Sequence, residues 1–100
     1  MKELRTGKPA MGEIIIYLAR NMRGAHRHIF TEEPDLRHPE DPSFNDAVSS
    51  FVVLKGVWKM FRDANYQNAY SDEFGPGVYD WVESYGIKND EMSSLKCIRP

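Results

Sequence analysis

Two six-residue stretches hold the residue types best suited to chemistry: Asn45-Asp46-Ala47-Val48-Ser49-Ser50 and Asn89-Asp90-Glu91-Met92-Ser93-Ser94. Each offers two short oxygen-bearing side chains, two variable residues and two hydroxyls. Each runs into an apolar, strand-like segment, Phe51-Val52-Val53-Leu54 and Leu95-Lys96-Cys97-Ile98. Oxygen-rich loops at the mouths of strands suit a hard cation, calcium above all, which takes roughly six to eight oxygen ligands. One hexapeptide cannot supply so many, so a site here must be shared or heavily hydrated. A single copy would fit an Asx or Ser turn capping a strand just as well. The second copy is what raises the cation reading.

Other candidates are weaker. His26 and His28 have the spacing that puts two side chains on one strand face, as a transition-metal pair would need, but no clear third ligand accompanies them. His38 does not supply one, and surface histidines are the plainer reading. Cys97 alternates with Leu95 and reads as a buried small hydrophobe. No carboxylate pair has a context for acid–base work, so no enzymatic activity is expected; an enzyme using the histidines ranks last.

The elements that must position these loops follow from composition and punctuation. The 100 residues suit one domain. With 28% charged residues and a formal net charge of -2, charge alone implies no polyanion partner. Arg20, Arg23 and Arg27 are followed by Glu32, Glu33, Asp35, Glu40 and Asp41, an alternation typical of a solvated surface, so no nucleic-acid partner is expected. The one cysteine excludes an intrachain disulfide and fits a reducing compartment, which favours the cytoplasm. No apolar run approaches membrane-spanning length. Met1 to Gly12 carries Lys2, Glu3, Arg5 and Lys8 without an apolar stretch, and is expected to be a flexible leader or an expression remnant, not a signal peptide.

From Glu13 the chain reads as short strands between breaks. Glu13 to Leu18 is β-branched and aromatic, Asn21 to Gly24 turns, and Ala25 to Phe30 returns. Residues 31–46, with Pro34, Pro39 and Pro42, read as a long polar connection with one short extended piece near Leu36. Ser49 to Leu54, Val57 to Arg62 and Gln67 to Ser71 read as strands. In the second of these Trp58 and Met60 share one face, with Lys59 and Phe61 on the other. Trp58, Trp81, Tyr17 and Phe61 are read as core and hairpin packing. Gly75-Pro76-Gly77 breaks the chain before Val78 to Trp81, and Ser93 to Ile98 closes it. Many short strands with Gly, Pro and Asn punctuation predict an all-β sandwich.

The chain also repeats itself at an offset of 44 residues, which carries Asn45 to Asn89, Ser49 to Ser93, Tyr17 to Phe61 and Asn21 to Asn65. Units of that length, each with a long return connection, are what a Greek key requires. Two such units can bury inner faces that one alone would expose.

At these residues the chain resembles the βγ-crystallins. Their Greek-key signature is an aromatic, four residues, a second aromatic, one residue and a glycine. Tyr17 to Gly24 fits except that Met22 replaces the second aromatic, and Phe61 to Asn68 fits except that Asn68 replaces the glycine. Asparagine tolerates positive φ and methionine can fill an aromatic's space, so both departures are mild. Both hexapeptides fit the family's calcium motif, two Asn/Asp, two variable residues, Ser/Thr and Ser. Gly75-Pro76-Gly77-Val78-Tyr79 is similar to the tyrosine-bearing turn of microbial members; its counterparts in the first unit are read as Glu33 and Asp35, which leaves that unit's third strand the least defined. The resemblance spans residues 13–98 and implies two Greek keys, about 13–54 and 57–98, packed as a βγ-crystallin sandwich.

The resemblance further implies two calcium ions held in a paired clamp. Ser49 Oγ and the Arg20 carbonyl would face Asn89 and Asp90. Ser93 Oγ and the Ala64 carbonyl would face Asn45 and Asp46. With one motif carboxylate per site, affinity is expected roughly in the micromolar-to-millimolar span, and magnesium should compete poorly because it demands a strict octahedron. Ser50 and Ser94 are assigned instead to hydrogen bonds within the folded hairpins. The competing reading is the same fold as an ion-independent structural or protein-interaction module. No macromolecular partner is identified.

Overall fold

The computed structural model describes residues 11–37, 44–89 and 91–100. Eight strands run in chain order: β1 Glu13–Ala19, β2 Arg23–Phe30, β3 Glu32–Glu33, β4 Ser50–Lys55, β5 Val57–Asp63, β6 Gln67–Phe74, β7 Gly77–Tyr79 and β8 Ser94–Arg99. They form two antiparallel four-stranded sheets, ordered β2-β1-β4-β7 and β6-β5-β8-β3. The fold is therefore all-β, two Greek keys packed face to face.

The packing is an exchange. β3 leaves the first unit to pair with β8 of the second, Glu32 opposite Lys96 and Glu33 opposite Leu95. β7 makes the mirror-image move onto β4, Phe51 opposite Tyr79 and Val52 opposite Val78. Each sheet thus takes three strands from one unit and one from the other.

Period-two patterning decides which side chains fill the space between the sheets. Ile14 and Ile16 of β1 and Phe51 and Val53 of β4 face Trp58 and Met60 of β5 and Leu95 and Cys97 of β8; all are buried. Trp58 is fully enclosed, and its indole N–H donates to the Lys55 carbonyl at 3.0 Å, so the ring is buried without stranding its donor. Tyr79 closes the sandwich at the β7 side, stacked on Phe51 at 4.8 Å and donating to the Gly75 carbonyl at 2.7 Å.

The two hairpins fold over by the same backbone device. Asn21, Met22 and Gly24 have φ of 60°, 55° and 79°, and Asn65, Tyr66 and Asn68 have φ of 59°, 61° and 59°. Asn68 thus holds the left-handed position that Gly24 holds in the first unit, which asparagine does at modest cost. Its amide donates to the Asp63 carboxylate.

Several sequence expectations need correction. The first unit's third strand is at Glu32–Glu33, not near Leu36, which is a buried plug in a turn. Leu36, Phe44 and Val48 are all buried, so the connection is anchored in the core and is not merely polar. The 44-residue offset fails here: Glu33 corresponds to Tyr79 and Leu36 to Val82, a spacing of 46, as the pairings and the matching bonds Leu36 N–H to Ser93 O and Val82 N–H to Ser49 O show. Thr31 and Glu33, rather than Glu33 and Asp35, therefore stand where Gly77 and Tyr79 stand in the second unit. β6 extends to Phe74, and β7 ends at Tyr79, with a one-turn 3-10 helix at Val82–Tyr85 following. Phe61 is buried with Met60 because the β5–β6 register shifts between Lys59 and Phe61. Tyr17 and Trp81 are only half-buried. At the start, Gly12 is buried against Cys97 and Trp58 while Met11 is exposed; the rest of the expected leader, like His38 and Asp90, lies outside the described residues.

Candidate metal centre

Strand β4 begins at Ser50 and β8 at Ser94, and each hexapeptide is the loop feeding one of them. Both loops are pinned at the same end of the sandwich. Ser49 N–H donates to the Tyr17 carbonyl at 2.9 Å, and Ser93 N–H donates to the Phe61 carbonyl at 3.0 Å. Those bonds bring each loop beside the hairpin of its own unit.

The loops then cross. Ser49 Oγ donates to Asn89 Oδ1 at 3.0 Å, and Ser93 Oγ donates to Asp46 Oδ1 at 3.0 Å. The Asp46 N–H adds a bond to the Met92 carbonyl at 3.0 Å, with Asp46 held at a left-handed φ of 57°. Each serine therefore meets the polar head of the opposite loop.

Around Asp46 the geometry is fuller. A cleft of about 270 Å³ is lined by Arg37, Asn45, Asp46, Asp63, Ala64 and Ser93. Asn45 Nδ2 donates to Asp46 Oδ2 at 3.2 Å, while Asn45 Oδ1 is buried with no hydrogen-bond partner among the described residues. A buried amide oxygen left unpaired costs about 1–3 kcal/mol. A cation beside Asp46 and Ser93 would give that oxygen a partner. The donors gathered here, carboxylate, hydroxyl and amide oxygen, are hard, which suits calcium better than a softer transition metal. Among the described residues no three His, Cys, Asp or Glu side chains converge on a point.

In the other half, Asn89 N–H donates to Glu83 Oε2 at 3.1 Å. The Arg20 side chain lies over the Trp81 ring, 4.5 Å from its centroid. His26 and His28 stand apart: His28 Nε2 is 2.7 Å from Glu13 Oε2, and the His26 ring lies against Tyr17.

Four residues not singled out from the sequence belong to this neighbourhood: Arg37, Asp63, Glu83 and Glu91. Asp63 precedes Ala64, and Glu91 fills a variable position of the second hexapeptide, so position in the repeat could have flagged both. A second cleft of about 510 Å³ is lined by Asp46, Arg62, Asp63, Asn68, Glu91 and Ser93. There Tyr70 donates to Glu91 at 2.6 Å, and Arg62 Nε is 3.4 Å from the same oxygen. Burial and the bond to Glu91 push the Tyr70 phenol above its ordinary range. Arg37 is bound by Asp35 through Nε and Nη2 at 3.0 and 3.1 Å, which raises its pKa further.

Ser50 and Ser94 do something else. Ser50 Oγ donates to the Ala19 carbonyl at 2.6 Å and accepts from Met22 N–H at 3.0 Å. Ser94 repeats this with the Asp63 carbonyl at 2.6 Å and Tyr66 N–H at 3.2 Å. Both are fully buried and serve the hairpins.

Comparison with known proteins agrees with this architecture. A βγ-crystallin from Ciona intestinalis is 35% identical over 86 residues, covering 86% of this chain and 98% of that protein. The crystal structure of an archaeal βγ-crystallin matches with a TM-score of 0.76 at 31% identity, over 87% of this chain and 98% of the other. A βγ-crystallin from Methanosaeta thermophila, described as transition-metal-ion-binding, matches with a TM-score of 0.74 at 40% identity, over 84% and 98% of the two chains. The profile of the beta/gamma crystallin domain covers residues 13–98. With two exchanged Greek keys, paired folded hairpins and that profile spanning nearly all of its strands, the chain belongs to the βγ-crystallin family.

Proposed function

We propose that this domain binds calcium, two ions per domain, in the paired loops, and that the ions stabilise the fold by tying the two Greek keys together. The observation that carries the reading is the buried, unpartnered Asn45 Oδ1 beside the Asp46–Ser93 cross-link. In the Asp46 half, the ion takes Asp46, Asn45 Oδ1, Ser93 Oγ and the Ala64 carbonyl, with water completing the shell. The Ser93 hydroxyl proton turns away from Asp46, so its lone pairs face the cation. In the other half, Ser49 Oγ, Asn89, Asp90 and the Arg20 carbonyl take the corresponding roles.

Calorimetric titration with calcium, paired with a thermal melt, tests this. Binding to the native state alone stabilises by about 2.7 kcal/mol when free calcium is a hundredfold above its Kd. Ser49→Ala combined with Ser93→Ala should remove most of the binding and leave the sandwich folded. Absence of both heat and melting shift at millimolar calcium sinks the proposal. Because the Methanosaeta thermophila relative is described as binding transition-metal ions, the same titration is run with nickel; tighter binding of nickel would reassign the cation.

A second reading has its own observation. Ser49–Asn89 and Ser93–Asp46 already join the loops without an ion. A domain serving as an ion-independent structural or interaction module would use those bonds alone, and its melt would not respond to calcium.

A further inference from the structure

We infer that the two halves of the loop pair are electrostatically unequal, and that the Asp46–Ser93–Ala64 half fills first, with Asp63 as the residue that sets the order. This rests on the calcium reading above and adds a sequence of filling to it.

The duplication makes the halves directly comparable. Hairpin positions correspond at the 44-residue offset, since Ser50 and Ser94 bond to Ala19 and Asp63 carbonyls and to Met22 and Tyr66 amides respectively. Asp63, which lines both clefts at Asp46, therefore has Ala19 as its counterpart. Glu91 has Ala47. Ala64 has Arg20, so a methyl in one half corresponds to a guanidinium in the other, which lies over the Trp81 ring. The half with Asp46 gains two carboxylates where its twin has methyl groups, and the twin gains a cation.

The other charged groups do not reverse this. Arg62, the counterpart of Leu18, is spent on Glu91 at 3.4 Å. Arg37 lines the Asp46 cleft but is bound at two nitrogens by Asp35, so the pair enters as a neutral unit. In the twin half, Glu83 is the counterpart of Arg37 at the 46-residue spacing, and it is engaged by the Asn89 backbone N–H. Among the described residues the Asp63 carboxylate is met by the neutral Asn68 amide, so its charge is uncompensated within that contact. Asp80, which stands where Pro34 stands in the Asp46 half, and Lys88, which precedes Asn89, are of opposite sign and cancel in the twin. Counting all these side chains with each half's own motif carboxylate, the Asp46 half carries one more negative charge. Calcium affinity rises with the charge gathered around the site. One unit charge near a divalent ion in a half-open cleft changes affinity by on the order of threefold to thirtyfold.

The test is a calcium titration resolved into two steps on the full domain and single variants. Wild type should show two steps separated by about tenfold. Ser93→Ala should remove the tighter step and Ser49→Ala the weaker. Asp63→Asn, which keeps the shape and hydrogen bonding of the side chain, should weaken the tighter step alone. Ala19→Asp should tighten the weaker step; if that variant fails to fold, Asp63→Asn decides the matter by itself. Two steps of equal affinity, loss of the weaker step in Ser93→Ala, or an unchanged tighter step in Asp63→Asn would each overturn the inference while leaving calcium binding intact. A complete absence of calcium heat in wild type overturns the underlying reading as well, and is recognisable as such.

Discussion

Adjacent serines with identical chemistry do different jobs here, and backbone direction separates them. Ser49 and Ser93 sit just before their strands and reach across to the other loop, at Asn89 and Asp46. Ser50 and Ser94 are the first strand residues, and period-two alternation turns them inward to the hairpins. Removing the Ser94 hydroxyl would leave the Asp63 carbonyl and the Tyr66 amide without that partner at a partly buried site. Ser94→Ala, and likewise Ser50→Ala, is expected to cost about 1–3 kcal/mol in urea unfolding and to leave cation binding per folded molecule unchanged. Lost binding with unaltered stability would show the roles reversed. Most of this was legible in the sequence, because a hydroxyl and its neighbour on a strand must face opposite ways. What was not legible is Asn45: its amide oxygen is burdened only because Phe44 and Val48, buried on either side, draw the loop into the core.

Among the elements, the β4–β5 connection is the most constrained. Gly56 alone turns the chain from the first Greek key into the second, at a φ of 86°. A Cβ added there would lie 2.5 Å from Cys97 Sγ and 3.0 Å from the Arg99 carbonyl. Neither neighbour can retreat, since Cys97 is enclosed in the core and Arg99 O is β8 backbone. Gly56→Ala should therefore destabilise by at least about 2 kcal/mol, read as a lowered melting temperature. An unchanged melt would mean that the turn is not needed in this conformation. The third strands show the opposite case. β7 carries its signal in Gly75-Pro76-Gly77, but β3 is two glutamates between Thr31 and Pro34, which no local propensity marks as a strand. It is a strand because the edge of β8 is open to receive it.

For the whole molecule, the exchange of β3 and β7 has a thermodynamic consequence. Neither unit can complete a sheet or cover its apolar face without the other, since Phe51 depends on Tyr79 and Leu36 anchors to Ser93. The domain should unfold in one cooperative step, and a peptide of residues 13–55 should give a coil-like circular dichroism spectrum with no melting transition. A cooperative melt from that peptide would contradict the picture. From sequence alone came the all-β class, the two Greek keys, the hairpin bends and the duplication of the oxygen-rich loops, because alternation, turn residues and a 44-residue repeat are local or periodic signals; that the two loops pair was implied by the resemblance to the βγ-crystallins. The tertiary structure alone decided where β3 lies, that the repeat spacing becomes 46 in the third strand, and which carboxylates surround Asp46. Those depend on contacts between residues far apart in the chain, and no local pattern encodes which distant strand edge will be free when the sheets close.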